Sequence, residues 1–144
     1  MRRIRRRTSD PQRGTVIVEL AILLPFLLLL AFLVMEGGAM IRTHIVLNNA
    51  AREAARVSAQ PEFEGQIAKV KQAALDYAAL NGVDLSADQV TVIQDDAVPG
   101  PDGTLMSASS VAVERPYSLP YLSAFSGLAD STQLYARAEF RNFY

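Results

Sequence analysis

Apolar residues are arranged along this chain in two different ways. From Thr15 to Met35 they follow one another without periodicity, and Glu19 is the only charge among them. Coiled as a helix, that stretch would be ~31 Å long, close to the thickness of a bilayer's hydrocarbon core. Further on the pattern becomes periodic. Met40, Leu47, Ala50, Ala51, Ala54 and Val57 share one helical face, while Arg42, Asn49, Arg52, Glu53 and Arg56 gather on the other. The spacing therefore predicts that the span continues outward as an amphipathic helix. A second helical pattern opens at Pro61 and Glu62, repeats through Phe63, Ile67, Val70, Ala74 and Tyr77, and stops at Asn81-Gly82.

The remaining elements read as strands. Val90 to Ile93 and Leu105 to Glu114 are β-rich runs, separated by Asp95-Asp96 and by Pro99-Gly100-Pro101-Asp102-Gly103, which reads as a hairpin with a long connection. Thr132, Leu134, Ala136, Ala138 and Phe140 alternate with Gln133, Tyr135, Arg137, Glu139 and Arg141, the signature of a strand with one buried face. Between them, Pro116 to Leu122 together with Phe125 is too apolar for a solvated loop. It is expected to fold onto the sheet, with contact to a partner as the alternative. The fold class that follows is α+β. A long amino-terminal membrane helix extends into a small outer domain, in which a second helix packs on about three antiparallel strands. The expected divisions are 1–14, a basic leader; 15–58, the span and its continuation; and 59–144, the small domain.

Charge gives this layout a direction. Arg2, Arg3, Arg5, Arg6, Arg7 and Arg13 face only Asp10 before the span, so the near-neutral total of −1 conceals a basic start and an acidic remainder. An arginine cluster beside a span stays cytoplasmic, which places the amino terminus inside and the carboxyl-terminal domain outside. The same cluster could bind nucleic acid in isolation, but next to a span it reads as an orientation signal. A removable secretory signal would have a shorter apolar core with no acid in it, although Gly37-Gly38-Ala39 could serve as a small-residue cleavage site.

Three positions in the helical run carry a physical question. Glu19 is expensive in lipid, about 2.5 to 3.5 kcal/mol on insertion scales, and marks a functional position unless it extends into the headgroups without a partner. Pro25 removes one helix donor and is a candidate kink. Gly37-Gly38 is a weak point where the helix is expected to bend at the membrane surface.

No catalytic constellation is recognisable. The chain has no cysteine, and its one histidine, His44, stands in no metal-binding arrangement and is expected near the headgroups. Asp95, Asp96 and Asp102 fit no calcium loop and are better explained as turn residues. No enzyme activity, cofactor, metal or small-molecule substrate is expected.

The basic leader, Gly14, four small or apolar residues, Glu19 and then an apolar span together resemble the class III signal of type IV pilin-like subunits. Val34-Met35-Glu36-Gly37-Gly38 and Asn48-Asn49-Ala50-Ala51-Arg52-Glu53-Ala54-Ala55-Arg56 are similar to the pattern of TadE-like proteins, minor pseudopilins of tight-adherence (Flp) pilus systems. TadE and TadF members share this layout. The resemblance implies scission between Gly14 and Thr15 by a prepilin peptidase and a bacterial inner-membrane location. It also implies partnership with other pilin-like subunits and an assembly platform, in a pilus that serves adhesion. The freed amino group of Thr15 would then match the charge of Glu19, in the same chain or in a neighbour. The alternative is a single-span envelope protein whose outer domain binds a ligand or partner and takes no part in a pilus.

Overall fold

The computed structural model describes residues 11–126 and 131–143. The leader arginines Arg2 to Arg7 lie outside them, as do the side chains of Leu122 and Phe125. Helix α1 runs unbroken from Pro11 to Ser58, and α2 from Ile67 to Leu80. Strands β1 (Val90–Pro99) and β2 (Leu105–Ser118) follow, then the short helix α3 (Pro120–Ser126) and strand β3 (Ser131–Arg141). The strands form an antiparallel sheet in the order β1-β2-β3, giving the α+β layout.

The second half of α1 is the spine of the domain. Leu47, Ala50, Ala51, Ala54 and Ala55 are fully buried and meet Val70, Ala74 and Ala78 of α2 together with Val111, Val113, Leu134 and Ala136 of the sheet. The alanines bring two helix backbones close together, so small side chains pack this chain against itself. α1 covers β2 and β3, while α2 lies against α1 and beside β1.

α1 stays helical through Gly37-Gly38, so the expected weak point does not break the helix. A Cβ at either glycine would meet nothing within 4 Å, so no close approach within this chain requires them. The helix is held on both sides of the pair: Glu36 is tied to α3, and Nε2 of His44 lies 3.1 Å from the carbonyl of Tyr135 in β3. That contact places the proton on Nε2, and it docks the lone histidine on the sheet.

α2 begins later than the periodicity indicated. Pro61–Phe63 forms a separate 3₁₀ turn, and Gly65 at φ 71° reverses the chain before Ile67. Ile67 is exposed, and the buried stripe is Val70, Ala74 and Ala78. The helix stops at Asn81-Gly82 as expected. Val83 N–H donates to the Ala78 carbonyl at 2.9 Å and Gly82 N–H to that of Ala79 at 3.0 Å, a Schellman closure with Gly82 at φ 73°.

Asp95 and Asp96 lie inside β1 and do not form the expected turn. Register shifts between Ile93 and Asp96, and Asp95 adopts φ 60°, which makes a β-bulge. Aspartate tolerates the left-handed conformation in turns and bulges alike, so the local signal was the same for both. Asn142 closes the bulge by donating to Asp95 Oδ1 at 3.0 Å and to Ser107 Oγ at 2.7 Å, while accepting from Ser109 Oγ at 2.8 Å.

The proline-punctuated segment does not fold onto the sheet as one loop. Its first part extends β2 as far as Ser118, with Pro116 opposite Gln133, beyond the point where β1 ends its pairing at Val113. Pro116 thus sits where β2 has only one neighbouring strand, and its missing N–H breaks no ladder there. Its second part is α3, with Pro120 at the first helical turn, packed against α1.

Candidate functional site

Two surfaces of α1 carry the chemistry. The first is the amino-terminal half, which no part of the domain covers. Its most apolar 18-residue window has mean hydropathy 2.9 and is 0% buried. Among the described residues α1 is the one helix long and apolar enough to cross a membrane. Ile17, Ile22, Phe26 and Val34 are each more than three-fifths exposed, as expected of side chains whose solvent is lipid.

Gly14, Thr15 and Glu19 lie together in the first turns of this helix. Thr15 and Glu19 are four residues apart, one turn and ~6 Å along the axis on the same face. Glu19 is exposed and forms no hydrogen bond or ion pair among the described residues. The backbone is already helical at Gly14. Pro25 also lies inside α1, exposed, with helical assignment on both sides.

The second surface was not singled out from the sequence. Glu36 directly follows the uncharged run, yet it is only 6% exposed. Its Oε1 accepts the backbone N–H of Tyr121 at 3.2 Å. A carboxylate at the start of a helix satisfies donors that have no partner within that helix and complements its dipole. One turn earlier on α1, Phe32 stacks on the Tyr121 ring with centroids 5.1 Å apart and planes within 10°. α3 is therefore fastened to the last turn of the apolar stretch. The one available sequence signal was an acid on the same helical face as Met40 and Leu47.

The acids considered for metal binding are otherwise engaged. Asp96 pairs with Arg137 at 3.2 Å, and Asp95 is held in the bulge. Hydrogen bonds from Thr104, chiefly its hydroxyl, hold the Asp102 carboxyl below its ordinary value. No group of three or more His, Cys, Asp or Glu that could hold a metal occurs among the described residues.

The geometry is that of one bare apolar helix, a candidate membrane span, continuous with a small α+β domain. Residues 14–56 match the family model described as TadE-like protein. That segment takes in Gly14, Thr15, Glu19 and Glu36 and ends with the buried part of α1. The TadE-like family is a pilus-associated structural family. No match was found among curated proteins or among solved structures.

Proposed function

We propose that the chain is a minor pseudopilin that takes part in assembling a Tad (Flp-type) pilus. In this reading a prepilin peptidase removes the leader between Gly14 and Thr15. The mature helix stays in the bacterial inner membrane, with its domain on the extracytoplasmic side. It packs laterally with other pilin-like subunits at an assembly platform and contributes to adhesion through the fibre.

One observation carries the proposal: an uncovered apolar half-helix with a single acid, Glu19, in a segment that matches the TadE-like model from residue 14. A free α-amino group has a pKa of about 8 and is mostly cationic at neutral pH. At Thr15 it would lie at the depth of Glu19, and pairing the two lowers the burial penalty of both. A helix that offers its whole apolar face to lipid can exchange that lipid for a neighbouring subunit's span, and an opposite-charge pair then sets the register between them.

The test is co-isolation. Glu19→Gln should insert normally and be processed, yet recover fewer pilin-type subunits after mild detergent extraction. Undiminished recovery would refute the pairing. Gly14→Val should accumulate uncleaved chain, because a β-branched side chain at that position obstructs approach to the scissile backbone.

A further inference from the structure

The uncharged connection between β2 and β3 meets α1 low on its length, and that height identifies what covers it. We propose that the corner formed by the end of β2 and the start of α3 rests in the headgroup layer of the bilayer, so that the domain is seated on a lipid surface with Tyr121 as its anchor. The inference rests on α1 spanning a membrane and is independent of the pilus reading.

Height is the first argument. Met35 ends the uncharged run, and Phe32 precedes it by one turn, ~4.5 Å along the helix, which places Phe32 just inside the hydrocarbon boundary. Tyr121 stacks on Phe32 with ring centroids 5.1 Å apart. If that whole separation pointed away from the bilayer centre, the Tyr121 ring would reach only about the end of the hydrocarbon. The headgroup layer occupies roughly 5 to 7 Å beyond it, so the stack holds Tyr121 below bulk water. Leu119 lines a groove together with Leu33 of α1, and the corner thus meets the apolar stretch at a second point.

Chemistry is the second argument. From Pro116 to Ser126 the sequence carries no charge. Tyr121 remains about half exposed although one face of its ring is stacked. A tyrosine joins an apolar ring to a polar hydroxyl, and for that reason it concentrates where a membrane meets water. On α1 at the same level, Val34 and Met35 are each about two-thirds exposed, so the corner adjoins a surface whose solvent is already lipid. The Tyr121 N–H, an unpaired donor at a helix start, is bonded to Glu36 at 3.2 Å and enters this layer satisfied.

Depth-dependent fluorescence quenching tests the proposal. The chain has no tryptophan, so each single-tryptophan variant of the full chain in phosphatidylcholine vesicles reports one position. Lipids brominated near the headgroup or near the chain end serve as shallow and deep quenchers, and iodide as the aqueous one. Tyr121→Trp keeps an aromatic ring on Phe32 and should lose about half of its emission to the shallow lipid, with smaller losses to the deep lipid and to iodide. Leu119→Trp should give the same order without touching the stack. Phe26→Trp, near the middle of the span, should be quenched most by the deep lipid, and Leu105→Trp, at the opposite end of β2, by iodide alone.

If iodide quenched Tyr121→Trp and Leu119→Trp as strongly as Leu105→Trp while Phe26→Trp stayed lipid-quenched, the seat would be overturned and the span would stand. Loss of lipid quenching at Phe26→Trp would overturn both. Emission from Tyr121→Trp that neither lipid nor iodide reaches would assign the surface to another protein chain and contradict the proposal.

Discussion

Glu36 and Tyr121 lie 85 residues apart in sequence, and a 3.2 Å hydrogen bond from the Tyr121 backbone to the Glu36 carboxylate joins them. The bond links the end of the bilayer-length stretch to the last connection of the domain. With the Phe32–Tyr121 stack, it gives the domain a second attachment to α1 besides their shared core. The attachment is local to α3, because the core centred on Leu47 and Val111 does not reach it.

Breaking that bond should loosen α3 while leaving the rest of the domain folded. Hydrogen bonds to charged groups contribute about 1.5 to 3 kcal/mol, and an aromatic stack about 0.5 to 1.5 kcal/mol. In Glu36→Ala, hydrogen exchange at the α3 amides should rise about tenfold or more, with unchanged protection in β2 and β3. Uniform acceleration across the domain would show that Glu36 holds the whole fold.

The glycines divide by backbone conformation. Gly82 at φ 73° closes α2, so Gly82→Ala should lower stability by about 1 kcal/mol, read as a shift in the urea midpoint of the detergent-solubilised chain. Gly37 and Gly38 are helical with open space around them, and Gly38→Ala should raise stability by about 0.5 to 1 kcal/mol.

The alanine face of α1 is filled by this chain's own core. Ala50 and Ala54 are 0% exposed, so Ala54→Leu should destabilise by about 1 to 3 kcal/mol through overpacking. Leu47→Ala should cost about 2 to 5 kcal/mol through the cavity it leaves. If Ala54→Leu were neutral in thermal unfolding, the close approach of α1 to its neighbours would be wrong.

These contrasts show which parts of the molecule the sequence disclosed. The buried face of α1, the stop at Asn81-Gly82 and the last strand were legible, because each depends on a periodicity or cap read within a few residues. β2 ran past Glu114 because Pro116 loses no ladder bond where β1 has ended, a circumstance that depends on registry. Asp95 looked like a turn because its conformational preference is the same at a bulge. Glu36 and Tyr121 meet only in three dimensions, and no spacing rule connects an acid on a helix with a backbone amide 85 positions later.

A surface pair on α1 gives a pH prediction with a definite sign. Hydrogen bonding from Arg56, which also forms an ion pair with Glu53, holds the Glu53 carboxyl below its ordinary value of 4.5. A depressed carboxylate stabilises the fold above its unfolded pKa, and that stabilisation fades as pH falls below 4.5 through the folded value. Glu53→Gln should therefore lower the melting temperature slightly at neutral pH and leave it unchanged in strong acid. The small size of the effect follows from the pair's exposure.

The central claim is that proteolysis creates a cation at Thr15 to match Glu19. Intact-mass measurement of the native protein extracted from its membrane, with amino-terminal sequencing, tests it most directly. The account predicts a chain that begins at Thr15 and keeps the entire apolar helix. A chain that still begins at Met1, or one that begins beyond the apolar stretch near Met40, would contradict it.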